Sequence, residues 1–187
     1  GHPSGVLGNT ARNSLTAELA KARQAQSKYL DRIKTASLAE INKDDDLRQF
    51  ATAGGKAAFA DNCVPCHGQG GAGQRGYPSL ADDVWLWGGT LDAIHKTLEV
   101  GIRYNEDSRM GQMPRFGADG VLNTKQIDDV AEYVLSLTKR SKDKEAVERG
   151  AKIFAEQCAA CHGEKGGGNQ ELGAPALNDQ VWLYGGS

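Results

Sequence analysis

The pentapeptide C-x-x-C-H occurs twice, at residues 63–67 and 158–162, and the two copies use all four cysteines of this 187-residue chain. It is the attachment motif of c-type haem, in which two thiols bind the haem vinyl groups and the histidine binds the iron. A covalently attached macrocycle must be packed into the fold, so no other feature constrains the chain as strongly. The sequence predicts two covalently bound haem c groups. Their attachment and proximal residues would be Cys63, Cys66 and His67 for haem one, and Cys158, Cys161 and His162 for haem two.

Other roles for the cysteines fit less well. Paired C-x-x-C knuckles of a structural zinc site usually lie about 15 to 20 residues apart, and the gap between Cys66 and Cys158 is far longer. A redox dithiol of the thioredoxin type needs a preceding strand, and no β-branched run precedes either motif. Two structural disulfides stay open as an alternative in an oxidising compartment, although two residues are a short spacer for a bridge.

The two motifs lie inside a longer internal repeat. A glycine and a phenylalanine stand eight and four residues before each first cysteine, as Gly55 and Phe59, and as Gly150 and Phe154. Residues four apart share one face of a helix, so a helix is predicted to lead into each motif. A proline segment and a Trp-containing segment then recur within residues 77–90 and 174–187. The second copy has a two-residue insertion in its Gly-rich loop. The chain therefore contains two homologous modules.

The first copy continues beyond the Trp-containing segment. A helix is predicted from about Leu91 to Val100, with Thr90 as N-cap and Gly101 at its end. A polar loop follows, and then a second helix from about Lys125 to Thr138, capped by Asn123 or Thr124. The apolar stripe predicted for that helix consists of Ile127, Val130, Ala131, Val134 and Leu135.

The polar loop contains the only two methionines, Met110 and Met113. A thioether is a soft ligand that raises the haem potential when it binds the distal position of the iron, whereas a methionine that only fills space belongs in a core. Met113 precedes a proline, which restricts the backbone, and we predict it to be the distal ligand of haem one. Met110 is the weaker candidate in the loop. His95 is predicted to be a surface or capping residue of the preceding helix.

Other motifs, the net charge and the distribution of apolar residues narrow the possible functions. Residues 71–76 match G-x-G-x-x-G, but they follow a haem motif and lead to Pro78, so they do not predict a nucleotide loop. The net charge is only −2, and basic residues are spread along the chain, so no nucleic-acid partner is predicted. No nucleophile elbow or HExxH motif occurs. The chain has no apolar run long enough to span a membrane and no signal peptide, so we expect any targeting element or anchor to lie outside it.

Three segments are predicted. Residues 1–50 form an N-terminal linker and helix, residues 51–141 form module one, and residues 142–187 form the N-terminal half of module two. Within the first segment, residues 1–10 are expected to be irregular and residues 15–41 to be helical. That helix is equally well explained as a solvated spacer or as a helix that docks on a partner subunit.

Several segments together resemble the dihaem subunit of cbb3-type cytochrome c oxidases, known as CcoP or FixP. They are Gly5-Val6-Leu7-Gly8, the first haem motif with Gly68, residues 77–80, residues 83–89, Gly101-Ile102-Arg103 and residues 112–117. The resemblance covers essentially the whole chain, and the repeated Trp-containing segment is more specific than C-x-x-C-H alone. It implies an all-α chain built from tandem class I cytochrome c modules, with the second one truncated.

The resemblance also implies partners and contacts. Electrons would pass from a periplasmic donor cytochrome c or the bc1 complex to the other oxidase subunits, on the periplasmic side of a bacterial inner membrane reached through an N-terminal anchor. The carbonyls of Pro78 and Pro175 would accept the second ring N–H of the proximal histidines. Where the first and last helices of module one cross, Gly55 and Phe59 would meet Val130 and Tyr133.

Two other functions are alternatives, one within the class of electron carriers and one among enzymes. A free periplasmic dihaem carrier of the c4 type would share the modules, but the N-terminal helix and the Trp-containing segments argue against it. A dihaem peroxidase or thiosulfate dehydrogenase would need a reactive distal site, and peroxide turnover would reveal it. The sequence given ends at Ser187, before a counterpart of the Met113 loop. We therefore expect haem two to be distally open, or to be capped by a group from another chain in a dimer.

We predict that replacing Met113 with alanine lowers the reduction potential of one haem, because the thioether stabilises the reduced iron. Axial ligands tune haem potentials over about 0.8 V, and the expected loss is on the order of 0.1 V. A spectroscopic redox titration measures it, with Met110→Ala as the matched control. A normal potential in Met113→Ala together with a lowered one in Met110→Ala or His95→Ala would reject Met113.

Overall fold

A computed structural model of the chain describes residues 11–186, and within this range the fold is all-α, as predicted. Its α-helices are α1 (Ala11–Thr35), α2 (Leu38–Lys43), α3 (Asp45–Asn62), α4 (Val64–His67), α5 (Leu91–Val100), α6 (Thr124–Leu137), α7 (Lys144–Gln157) and α8 (Ala159–His162). A short 3-10 helix covers Gln69–Gly71. Extended pairing in the described range is confined to isolated bridges, such as the one between Gln74 and Tyr77.

The ends of α5 and α6 follow the capping residues read from the sequence. The Thr90 hydroxyl accepts a hydrogen bond from the Ala93 N–H at 3.1 Å, and α5 ends at Gly101, whose φ of 74° lies in the left-handed region. Asn123 caps α6 by accepting from the Gln126 N–H, and the Gln126 side chain accepts from the Asn123 N–H in return. The predicted bounds of both helices are confirmed to within one residue.

The predicted helix over residues 15–41 is divided in two. Ser37 begins α2 with a capping box, in which its hydroxyl accepts from the Glu40 N–H and the Glu40 carboxylate accepts from the Ser37 N–H. A serine followed three residues later by glutamate is the sequence signature of a helix start, so the break was visible in the sequence. The predicted irregular segment, residues 1–10, lies outside the described residues.

Contacts divide the chain into two compact units, the first ending at Asn62 and the second beginning at Cys63. In the first unit the Tyr29 and Phe50 rings stack at 5.0 Å, and Leu47 is fully buried. The Asp44 carboxylate accepts from the Leu47 N–H and pairs with a guanidinium of α1, and these interactions lower its pKa. Leu15 and Leu19 on α1 are exposed, so both explanations of that helix stay open.

The second unit is organised around the close pairing of α6 with α7. A Cβ added at Gly150 would lie only 2.6 Å from the carbonyl carbon of Asp129 and 2.9 Å from the Cβ of Tyr133. The two helix backbones can approach this closely because Gly150 has no side chain. One turn further on, the rings of Tyr133 and Phe154 pack at 4.9 Å, and Phe154 is 1% exposed.

A buried ion pair joins the same two helices. The Asp129 side chain is the most deeply buried of α6, at 5% exposed, and Arg149 donates to both of its oxygens at 2.8 and 2.9 Å. Lys125 adds a third cationic contact at 3.3 Å. The hydrogen bond from Arg149 is the main reason that the pKa of Asp129 is lowered. The pair therefore stabilises the fold at neutral pH, and this contribution is lost as the pH falls through the lowered pKa.

The second copy of the repeat packs its glycine and phenylalanine against α6. Gly150 and Phe154, the counterparts of Gly55 and Phe59, lie against Asp129 and Tyr133. A Cβ added at Gly55 would meet no described atom within 4 Å outside its own stretch of helix. Arg149, the neighbour of Gly150, pairs with the Asp129 carboxylate, and the residue equivalent to Arg149 in the first copy is Gly54.

We predict opposite effects of alanine at the two equivalent glycines. Gly150→Ala forces α6 and α7 apart and should lower the free energy of unfolding by about 1–3 kcal/mol, as overpacking does. Gly55→Ala adds a methyl group in open space inside a helix and should raise it by up to about 1 kcal/mol. Urea unfolding of the haem-loaded chain measures both. A loss in Gly55→Ala as large as that in Gly150→Ala would contradict the observed pairing.

Candidate functional site

Each C-x-x-C-H motif folds as a single helical turn. Cys63 precedes α4, and the His67 N–H donates to the Cys63 carbonyl at 2.8 Å. Cys158 precedes α8 in the same way, and the His162 N–H donates to the Cys158 carbonyl at 2.9 Å. One turn of helix therefore brings two thiols and one imidazole together in each copy. This is the donor set that c-type haem attachment requires.

The histidines of the two motifs are held by equivalent hydrogen bonds. The Nδ1 of His67 lies 2.9 Å from the carbonyl oxygen of Pro78, and the Nδ1 of His162 lies 2.9 Å from that of Pro175. A carbonyl oxygen only accepts, so Nδ1 must carry the proton in both rings. The lone pair then resides on Nε2, which makes that nitrogen available to a metal ion.

The glycines of each loop bring the proline carbonyl to the histidine. The Gly73 N–H donates to the His67 carbonyl at 2.7 Å, and the Gly168 N–H donates to the His162 carbonyl at 2.8 Å. A Cβ on Gly73 would lie 2.6 Å from the Ser79 nitrogen, and one on Gly168 would lie 2.7 Å from the Ala176 nitrogen. Both glycines also have positive φ. The G-x-G pattern thus shapes a histidine-supporting loop.

Matching hydrogen bonds locate the two-residue insertion of the second copy. Gln74 donates to the Tyr77 carbonyl in the first copy, and Asn169 donates to the Ala174 carbonyl in the second. The first turn encloses residues 75–76, and the second encloses residues 170–173. The extra length therefore projects from the haem loop and leaves the histidine support unchanged.

All four cysteines are free thiols, with Cys161 exposed and the other three partly buried. Burial raises the pKa of Cys158, and the neighbouring Cys161 raises it further. Hydrogen bonding to Cys66 raises the pKa of Tyr77. A pair of thiols beside an imidazole fits thioether attachment of haem. Residues 11–186 contain no group of three or more His, Cys, Asp or Glu side chains arranged to hold a metal ion.

The methionine loop is held by its polar residues. Arg103 donates to the Gly111 carbonyl at 2.9 Å, and the Arg103 N–H donates to the Arg109 carbonyl at 2.9 Å. The buried Ser108 hydroxyl accepts from the backbone next to it. Met113 is 69% exposed and Met110 is 55% exposed, so neither methionine side chain fills space in a core. His95 is exposed on α5, as expected of a surface residue.

Sequence reasoning missed the residues that contact the Trp-containing segments. The guanidinium of Arg109 lies 5.4 Å from the ring centre of Trp87, and that of Arg140 lies 4.8 Å from the ring centre of Trp182. The Gln170 side chain donates to the Trp85 carbonyl at 3.0 Å. Gln170 belongs to the inserted loop, and the insertion was the one sequence signal that could have drawn attention to it.

Comparison with known proteins agrees with this geometry. The family model for cytochrome c matches residues 52–138 and 147–187. The chain is 48% identical to the cbb3-type cytochrome c oxidase subunit CcoP of Azospirillum brasilense over 99% of its own length and 65% of that protein. It is 45% identical to CcoP of Cereibacter sphaeroides over 100% and 65% of the two lengths. It is 47% identical to subunit FixP of Bradyrhizobium diazoefficiens over 97% and 63%.

The chain thus spans slightly less than two thirds of the length of these relatives. In the part of the chain that the structure describes, no helix is both long and apolar enough to cross a membrane.

We predict that Gly168→Ala disturbs the support of His162. The added Cβ would collide with the backbone of Ala176 and move the adjacent Pro175 carbonyl, so the imidazole loses its hydrogen-bond acceptor. Loss of such a partner typically weakens metal binding about 10- to 100-fold. The measurement is an acid titration of the haem-loaded chain, in which protonation releases the imidazole from the iron at a higher pH when its support is weakened. Gly167→Ala is the matched control, because a Cβ there meets nothing within 4 Å; equal effects in both variants would count against the support.

Proposed function

This chain belongs to the cytochrome c family, and we propose that it carries two haem c groups and relays single electrons within a cbb3-type cytochrome c oxidase. When bound, the haem irons supply the one-electron redox chemistry. The protein supplies attachment, orientation and tuning of those irons. By itself the chain is an electron-transfer subunit of an oxidoreductase and needs no catalytic residue of its own.

The observation that carries this proposal is the doubled histidine support. Two histidines, each adjacent to a C-x-x-C pair, donate through Nδ1 to a proline carbonyl at the same distance of 2.9 Å. That arrangement fixes one tautomer and holds the ring, which raises the basicity of Nε2 towards iron. A histidine that served only packing would need neither the adjacent thiols nor the same partner in both copies.

The roles proposed for the side chains follow from their chemistry. The thiols of both motifs hold the haems as thioethers, His67 and His162 are the proximal ligands, and Met113 is a distal sulfur ligand. The Pro78 and Pro175 carbonyls orient the imidazoles. The attached haems also complete the fold. Among the described residues of the second unit, the buried apolar side chains are only Trp87, Leu122, Ala146 and Phe154, too few for a unit of this size.

The partners proposed are the other subunits of the oxidase. The relatives named CcoP and FixP are subunits of cbb3-type cytochrome c oxidases and match almost the entire chain. We propose a periplasmic donor cytochrome c or the bc1 complex as the electron source. Haem c is attached on the outer side of the bacterial inner membrane, so we place the chain on the periplasmic side, with a membrane anchor in the complete protein.

The first test is haem stoichiometry. The chain, expressed with a haem-attachment system, should carry two haems by the pyridine haemochrome assay, and replacing Cys63 and Cys66 or Cys158 and Cys161 with alanine should leave one.

The second test is electron transfer. The reduced chain should be reoxidised by oxidase that lacks this subunit, with oxygen consumed. Haem attachment without any reoxidation would refute the oxidase role, and rapid peroxide turnover would favour the peroxidase alternative.

A further inference from the structure

The loop that follows α5 is closed at its base by backbone hydrogen bonds. The Arg103 N–H donates to the Arg109 carbonyl at 2.9 Å, and the Arg109 N–H donates to the Gly101 carbonyl at 3.1 Å. Ile102 and Arg109 therefore form one of the isolated bridges of the described range. Because the bridge closes the loop, the chain that continues towards the methionines leaves it from a defined position.

Hydrogen bonds of Ser108 hold the tip of the same loop. Ser108 is buried, at 8% exposed, and its hydroxyl accepts from the N–H groups of Tyr104 and Asn105 at 3.1 and 2.7 Å. The Asn105 side chain accepts in turn from the Asp107 N–H at 3.2 Å. The tip is thus held by short-range bonds between its own residues. None of these bonds uses the side chain of Arg103, at the base of the loop.

Arg103 has an unusual backbone conformation. Its φ of 51° lies in the left-handed region, where the Cβ of an L-residue crowds the following carbonyl and glycine is favoured. The other described non-glycine residue with positive φ is Lys139, which follows the C-cap of α6, a position where left-handed residues are common. Arg103 has no such explanation, because Gly101 already ends α5. A strained residue that is not glycine indicates that its side chain is needed at this position.

The side chain of Arg103 is bonded to the segment that contains Met113. Its Nη1 donates to the Gly111 carbonyl at 2.9 Å, and only Gln112 separates Gly111 from Met113. A glycine backbone can adopt many conformations, so a bond from outside is needed to fix the direction in which the chain continues. Hydrogen bonds from a charged donor are among the stronger ones in proteins. Arg103 therefore fixes the chain on the N-terminal side of Met113.

The C-terminal side of Met113 is held by different contacts. Pro114 restricts the backbone of the methionine that precedes it. Further on, the Phe116 carbonyl accepts from the Val121 and Leu122 N–H groups at 2.9 and 3.0 Å, and Leu122 is buried. The exposed methionine is thus the centre of a segment that is held at both ends.

We propose that Arg103 is a positioning residue for Met113 and holds the methionine loop in the conformation that presents the thioether to iron. This inference rests on the proposed function, in which Met113 is a distal sulfur ligand. An exposed methionine on an unrestrained loop must be ordered when it binds, and a loop that is ordered beforehand avoids this cost. The guanidinium of Arg103 orders the loop through the Gly111 carbonyl. The left-handed backbone of Arg103 is the strain that accompanies this contact.

Displacement by imidazole measures how firmly Met113 is held. The oxidised, haem-loaded chain should show a sulfur-to-iron charge-transfer band that Met113→Ala abolishes, and added imidazole should remove this band by replacing the thioether. In Arg103→Gln the band should disappear at an imidazole concentration about tenfold lower, the change expected for one charge-assisted hydrogen bond. An unchanged imidazole midpoint in Arg103→Gln would overturn the inference alone. A chain without any Met113-dependent band would refute the proposed ligand role of Met113, and the inference with it.

Three further variants separate the contact from charge and from backbone strain. Arg115→Gln removes an equal charge beyond Met113, where Arg115 pairs with Asp119 at 2.7 Å. That exposed pair is weak, so the imidazole midpoint should shift by less than about twofold. Arg103→Lys keeps a cationic donor and should retain most of the resistance to imidazole. Arg103→Gly relieves the left-handed strain but removes the guanidinium, so it should lose the band as readily as Arg103→Gln. A parental midpoint in Arg103→Gly, or an equal loss in Arg115→Gln, would overturn the proposal.

Discussion

The hydrogen bond from a histidine Nδ1 to a proline carbonyl is the interaction on which both sites depend. It occurs at 2.9 Å in each copy, and it explains why a short loop contains several glycines. Those glycines let the chain double back and present a carbonyl to the ring. An imidazole held in this way has one protonated and one free nitrogen before any iron arrives. The two cysteine thiols of the same helical turn, once bonded to a haem, would then determine where the haem lies. The two-residue insertion leaves the histidine hydrogen bond of the second copy unchanged. The histidine support therefore does not depend on the length of the rest of the loop.

Beyond these loops, the second unit is held by few but specific contacts. Its core combines a small number of apolar side chains with one buried ion pair between α6 and α7. The pair stabilises the fold at neutral pH, and a partner without a cation would leave the buried Asp129 carboxylate unpaired. Gly150 makes the same packing possible, since only a residue without a side chain permits the observed backbone approach. Of these two features, only the ion pair is particular to α7, because the first copy has Gly54 where α7 has Arg149.

An electron relay needs haems that are fixed in position and different in potential. In the proposed function the two irons share a proximal chemistry, and Met113 offers a sulfur ligand to one of them. A thioether raises the potential of the iron that it binds. The inserted loop of the second copy contacts Trp85, Trp87 and Gly111, so the loop that supports His162 packs on the Trp-containing segment and the methionine loop of the first copy.

Much of this protein is determined locally, and the sequence predicts that part well. The caps at Thr90 and Asn123 and the all-α class follow from short-range rules of hydrogen bonding and helix periodicity. The motifs and the candidate ligands can also be identified from the sequence, because each is a pattern of residue types within a short segment. The repeat is visible as the recurrence of such segments. The contact of Gly150 with α6 could not be read from the repeat, because Gly55 occupies the same place in the first copy. Only the tertiary structure shows the Asp129–Arg149 ion pair and the contacts of the inserted loop, because they join residues far apart in the chain, and a buried charge and a close backbone contact tolerate only a matching partner.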